Sequence, residues 1–300
     1  MKLLKLFASI ALGLASAPIA GAMIASVDGI TVHNVVSTDY VAEIWDRTVQ
    51  FSAGTGTYLG KSADGKHWVL TAAHVPVGNG TIVTSTGEVI GLSAATETPV
   101  LFYNQDGTQA DLKMFSVVVE GDSEDYLNGL GNIKIHMGEL TSGTSFYCVG
   151  TGVSLTMRSG LSSGARGKEW GEAVWGDHKL ERKSVQKPYT GYQYTSAVFS
   201  ETFSENGASI QVGSSDSGCG AFVKNGESWE MIGVAITVAP NSAKGQTIGY
   251  IENPNSVCST NFVDLSAYAT QIYTVVPEPS LFGLAAGFFA LGLAGARRRR

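Results

Sequence analysis

The sequence predicts an all-β protein, and three observations carry that prediction. Thirty-seven of the 300 residues are glycine, a residue that is costly inside helices and useful in turns. Short runs rich in Val, Thr and Tyr recur through the body, separated by Gly, Asp, Asn or Ser. Apolar residues make up 44% of the chain and charged residues 15%, so the body is neither disordered nor a coiled coil. Regular short strands of this kind suggest a barrel or a sandwich. The net charge of −6 argues against a nucleic-acid partner, which calls for a basic face.

In chain order, residues 1–22 come first and stand apart from the fold. Lys2 and Lys5 precede an apolar stretch from Leu6 to Leu14. Ala15-Ser16-Ala17 and Ala20-Gly21-Ala22 both fit small-x-small cleavage. This is the pattern of a secretory signal peptide, with an apolar core too short to span a bilayer comfortably.

The body, residues 23–275, reads as strands at Val49–Phe51, Thr55–Leu59, Trp68–Leu70, Gly80–Val83 and Phe115–Val119. Further strands are expected at Ser145–Val149, Tyr192–Phe199, Ala221–Val223 and Met231–Ile236. Lys224-Asn225-Gly226-Glu227 is a hairpin signal between the last two. One helix is expected, Val263 to Ile272, from the partly helical spacing of Val263, Leu265, Ala267, Tyr268 and Ile272.

Residues 276–300 stand apart again. Val276-Pro277-Glu278-Pro279-Ser280 leads into an apolar run from Leu281 to Ala296, closed by Arg297 to Arg300. At about 1.5 Å per residue the run barely crosses a bilayer, and the arginines would stay cytoplasmic. An ordinary C-terminal anchor has these features. The Pro-Glu-Pro, the short span and the arginine cluster together resemble the PEP-CTERM sorting signal of Gram-negative bacteria. That resemblance implies an exosortase-type sorting enzyme as partner, membrane contact before processing, and a destination in the cell envelope or outside the cell.

Three segments of the body carry chemistry. Trp68 to His74 is a strand that runs through small residues onto a histidine. An imidazole titrates near neutrality and can serve as a general base. Four other histidines, His33, His67, His136 and His178, compete with it. Gly213 to Gly220 surrounds Ser217 with small residues, and backbone N–H groups of such a loop can converge into an oxyanion hole. A plain surface loop has the same composition. Ala110-Asp111-Leu112-Lys113-Met114-Phe115 places an aspartate at the head of an apolar strand, where it could orient an imidazole. Asp106, Asp122 and Asp125 lie nearby in glycine-rich turns, and Asp111 alone leads straight into an apolar run. No His/Cys spacing suits a zinc site.

Together these segments resemble the chymotrypsin-like (trypsin-type) serine proteases. Thr71-Ala72-Ala73-His74 matches the family's histidine segment, and Asp216-Ser217-Gly218 the centre of its Gly-Asp-Ser-Gly-Gly segment. Asp111-Leu112 matches its aspartate segment, and the order His, Asp, Ser is that of this fold. Gly54 to Leu59, Met231 to Val234 and Phe262 to Tyr268 look like flanking stretches, so the resemblance spans residues 48–273.

The resemblance implies two antiparallel six-stranded β-barrels, residues 30–140 and 141–262, with a closing helix over 263–272. It implies a secreted serine endopeptidase acting on polypeptides through an acyl-enzyme. His74 would be the base, Asp111 its orienting partner and Ser217 the nucleophile. Backbone N–H groups of Ser215 and Ser217 would hold the oxyanion, and no metal or organic cofactor is needed.

The sequence departs from the family at several positions. Ser215 and Cys219 replace glycines, and Val75 replaces the cysteine that commonly braces the histidine loop. The Ser215 replacement carries an alternative expectation. The chain would then be a catalytically impaired relative that binds protein or polysaccharide at the cell surface. Gln211 stands at the floor of the implied specificity pocket, where a neutral amide gives no strong preference for Lys or Arg. Of the three cysteines, Cys148 and Cys219 are the pairing that the resemblance suggests, and Cys258 is left over. Asp216 pairs with a newly cut N-terminus in zymogen-type members, and no Arg/Lys-Ile-Val-Gly-Gly occurs near residue 30 here to supply one.

Overall fold

The computed structural model describes residues 24–27, 30–33, 41–121, 123–138, 145–152, 169–174, 183–189, 192–203, 209–213, 215–239 and 258–278. Strands β1 (Ile24–Val27) and β2 (Ile30–His33) form a hairpin and are followed by the single turn α1 (Ala42–Trp45). Then come β3 (Thr48–Phe51), β4 (Gly54–Lys61), β5 (His67–Thr71), β6 (Gly80–Val83), β7 (Val89–Ala94), β8 (Val100–Tyr103) and β9 (Gln109–Val119). The pairing order β5-β4-β3-β6-β7-β9 closes on itself through β5–β9, giving an antiparallel six-stranded barrel. β8 adds to β9 as a hairpin on its outside. Closure leaves these six strands no free edge. Val49, Tyr58, Val69, Leu70, Ile82, Ile90, Leu92, Leu112 and Met114 are buried in the main core.

Helix α2 (Glu124–Leu130) follows the barrel. The buried Arg47 donates Nη1 to Gly131 O at 3.0 Å and Nη2 to Leu130 O, so its cation covers the open carbonyl end of α2. Burial lowers the Arg47 pKa to about 10, against the pull of Glu43, Tyr58 and Asp46.

The second half contains β10 (Lys134–Ile135), β11 (Ser145–Gly150), β12 (Glu169–Val174), β13 (Lys183–Tyr189), β14 (Tyr192–Phe203), β15 (Ser209–Gln211), β16 (Gly220–Asn225), β17 (Ser228–Ala239) and β18 (Cys258–Asp264). Seven of them form one antiparallel sheet in the order β12-β11-β16-β17-β18-β14-β13, with β10 parallel to β17. Among the described residues its end strands β12 and β13 are not paired to each other. β15 pairs instead with β1. The predicted hairpin turn joins β16 to β17, and Gly226 there takes φ 62°.

The closing helix starts later than the sequence suggests. Phe262 and Val263 pair with both β14 and β17, so they belong to strand. Asp264 then caps a 3₁₀ turn, Leu265–Ala267, by accepting from Ser266 N at 3.1 Å, and α3 (Ala269–Tyr273) follows. The apolar spacing there is partly that of a doubly paired strand. Tyr268 ties the two halves together. Its hydroxyl donates to Asn104 Oδ1 at 2.7 Å and accepts from Ala197 N at 3.0 Å.

The expected signal peptide and all but the first residues of the expected sorting segment lie outside the described residues. Among the described residues, no helix is long and apolar enough to cross a membrane.

Candidate active site

β5 ends at Thr71, and the buried Ala72 accepts from Val75 N at 3.1 Å, turning the chain so that His74 lies at the barrel's end. Asp111 enters from β9, the strand paired with β5, and is fully buried. Its carboxylate receives His74 Nδ1 at 2.8 Å (Oδ2) and 2.9 Å (Oδ1), and the His74 backbone N–H at 3.0 Å. A carboxylate has no hydrogen to give, so Nδ1 carries the proton and Nε2 is left as the basic nitrogen. The Asp111 backbone N–H donates to Ser196 Oγ on β14 at 2.8 Å, which seats the dyad against the second half. Of the competing aspartates, Asp106 accepts from Thr108 N and Oγ1 in an exposed turn, and Asp125 is exposed in the first turn of α2. Asp122 lies outside the described residues. Among the other histidines, His67 meets Tyr58 Oη at 2.8 Å and His136 meets Glu230 at 2.6 Å. The His33 side chain and His178 lie outside the described residues.

Lys113, two residues beyond Asp111 on β9, braces the histidine turn. It is 7% exposed, and its ammonium donates to Ala73 O at 3.0 Å and to Val75 O, the carbonyls on either side of His74. Burial lowers its pKa, and the Asp111 charge opposes that shift. A buried cation on two carbonyls thus holds the turn from below.

Ser217 is half-buried in the loop before β16; Ser214 of that loop lies outside the described residues. The loop is fastened to the barrel by Thr55. The Thr55 backbone N–H donates to Ser217 O at 2.9 Å, and its Oγ1 donates to Ser215 O at 3.1 Å. Gly54 sits at the seam: a Cβ there would fall 2.6 Å from the Val75 side chain and 3.1 Å from Ser217 O, so the Ser217 loop closes onto the histidine turn. Gly218 has φ 93°, and a Cβ on it would lie 1.9 Å from Thr55 O and 2.2 Å from Thr71 Oγ1. Only glycine fits at that position.

Ser215 has φ 71°, alone among the described non-glycine residues in taking a positive value. The serine therefore adopts a backbone form that glycine favours. Asp216 is fully buried and accepts from Gly152 N and Gly213 N, both at 2.7 Å. Two backbone amides thus solvate its charge.

Cys148 and Cys219 are buried thiols of one apolar cluster that also holds Phe146, Ala221 and Phe262. They are not bridged to each other, which corrects the suggested pairing. Cys148 on β11 pairs with Ala221 on β16, so Cys219, just before β16, lies diagonal to Cys148 rather than across from it. Burial, and then Asp216, push the Cys219 thiol well above its usual range. Gln211 ends β15 opposite Ile24. Its side chain and that of Cys258 lie outside the described residues.

The sequence reading passed over Lys113, Ser196, Thr55, Thr71 and Thr151. Lys113 left a signal, because in a strand it shares a face with Asp111. Thr55 lay inside a recognised stretch, but its hydroxyl's target is 160 residues away.

The chain matches no family model and no curated protein. Among solved structures it is similar to neuropsin, a serine protease expressed in the limbic system of mouse brain. The identity is 13% and the TM-score 0.47, over 79% of this chain and 96% of that one. It is similar to a Glu endopeptidase in complex with MPD at 12% identity and TM-score 0.45, over 86% of this chain and 99% of that one. It is also similar to an inactive form of Rv3671c from M. tuberculosis H37Rv, at 15% identity and TM-score 0.44, over 83% and 97%. At such identities no residue's role transfers from them.

Proposed function

We propose that the chain is an exported serine endopeptidase that cleaves polypeptides through Ser217, His74 and Asp111. One observation carries the reading: the buried Asp111 carboxylate engages both the Nδ1 and the backbone N–H of His74. That arrangement fixes the tautomer a general base needs. His74 Nε2 takes the Ser217 Oγ proton as the oxygen attacks a peptide carbonyl. The charge that develops on the carbonyl oxygen is held by the N–H groups of Ser215 and Ser217. His74, stabilised as imidazolium by Asp111, passes its proton to the leaving amine. Water then releases the acyl group by the same route. The residues of this site require no metal or organic cofactor.

The alternative, an impaired relative that binds protein or polysaccharide, rests on the side chain at Ser215. Its φ of 71° counts against that reading, because the peptide keeps the glycine-like form. Export by residues 1–22 and sorting of residues 276–300 by an exosortase-type enzyme complete the proposal.

A fluorophosphonate probe tests it. Wild-type protein should label, and Ser217→Ala should not. A well-folded wild type that neither labels nor cleaves casein would remove the endopeptidase reading.

A further inference from the structure

We infer that Thr55 is a positioning residue whose buried hydroxyl locks Ser215 in its left-handed conformation and so aims the nucleophile loop. The inference rests on the endopeptidase reading for its catalytic consequence, but the positioning itself can be measured without activity.

Thr55 is fully buried at the start of β4, and every polar group it has points at the site. Its N–H holds Ser217 O at 2.9 Å, and its carbonyl receives Thr71 Oγ1 at 2.6 Å. Thr71 closes the strand that leads to His74. The hydroxyl has three neighbours: Ser215 O at 3.1 Å, Thr151 Oγ1 at 2.6 Å and Thr151 N at 3.2 Å. A carbonyl oxygen carries no hydrogen, so the single Thr55 hydroxyl proton goes to Ser215 O. Thr151 must then donate from both its hydroxyl and its amide. One donor and two acceptor sites are thereby filled, the full capacity of a hydroxyl.

The bond to Ser215 O matters because of where Ser215 sits. A non-glycine residue at φ 71° is strained and persists only when its surroundings hold it. Ser215 O belongs to the peptide that joins Ser215 to Asp216. Holding that oxygen opposes relaxation of φ to a negative value, which would swing the Ser215 N–H away from Ser217. Asp216, on the far side of the same peptide, is anchored through Gly152 and Gly213. The Thr55 hydroxyl thus does for serine what the absence of a side chain does for glycine.

The test is a double-mutant cycle on the full chain with two readouts. Thr55→Val keeps the shape and removes the hydroxyl; Thr55→Ser keeps the hydroxyl. With Ser215 present, Thr55→Val should slow fluorophosphonate labelling about tenfold, the scale of one lost hydrogen bond, and should lower kcat rather than raise KM. Thr55→Ser should restore most of the rate. In a Ser215→Gly background the same Thr55→Val change should cost less than about twofold, since glycine needs no help to hold φ 71°. Hydrogen exchange of the 213–220 peptide should accelerate in Thr55→Val and not in Thr55→Ser. An equal loss in both backgrounds would overturn the inference, as would unchanged exchange. If the wild type fails to label while exchange responds as expected, the endopeptidase reading falls and the positioning role stands.

Discussion

Asp111 is the residue on which the site turns, because its two oxygens take three contacts from His74 at 2.8–3.0 Å. Replacing it with Asn keeps the shape and changes the chemistry. An amide NH₂ facing Nδ1 would drive the proton to Nε2, and on the proposed mechanism His74 would lose its acceptor. Asp111→Asn should therefore lower the labelling rate about 10³–10⁴-fold while leaving the far-UV spectrum and melting curve close to wild type. Asp106→Asn should leave labelling at the wild-type rate, because Asp106 serves only its own exposed turn among the contacts described. The reverse result would move the triad's third member.

β9 works as a single element with two functions. At one end it brings Asp111 to His74, and two residues on it places the Lys113 ammonium under the carbonyls of Ala73 and Val75. Alternation along a strand makes this possible, since residues i and i+2 share a face. Lys113→Met keeps the length of the side chain and takes the ammonium donor from the Ala73 and Val75 carbonyls, the latter buried. Denaturant unfolding should show a loss of about 1–3 kcal/mol. Labelling should fall with it, because the turn that carries His74 loses its brace; Lys113→Arg should recover part of both. Unchanged stability in Lys113→Met would mean that the turn is held by its other contacts. At this scale the sequence was readable at several short strands flanked by turn residues, although β7 and β8 were not among those it predicted. β6 falls at the expected Gly80–Val83, and β16 and β17 meet at the expected turn. It was less readable at β18, where the neighbouring Phe262 and Val263 are both buried in a strand paired on both edges. Such a run cannot be told from a helix by spacing alone.

Across the whole molecule, local motifs singled out His74 and Ser217, whereas the residues that hold their segments were hidden. The segments of His74 and Ser217 are contiguous and small-residue rich, so they announce themselves. Thr55–Ser215, Lys113–Val75 and Asp111–Ser196 join residues 160, 38 and 85 positions apart, and only the folded chain brings them together. The same is true at the C-terminal edge of the body. Residue 276 looked like the first of a separable tail, yet Val276 is 2% exposed within the main core, and Pro277 O accepts from Asn132 Nδ2 at 3.0 Å. The fold therefore extends to Pro277. A chain ended after Glu278 should unfold like the full body, whereas one ended after Thr274 should lose about 3–6 kcal/mol, from the buried Val276, the half-buried Val275 and the hydrogen bonds of Val275 N, Val276 N and Pro277 O. Equal stability of the two would mean that the Val276 packing contributes nothing. The boundary also limits processing. If residues 279–300 are removed after export, intact-mass measurement of the mature protein should find its C-terminus at or beyond Pro277, because a cut before Val276 would take part of the core with it.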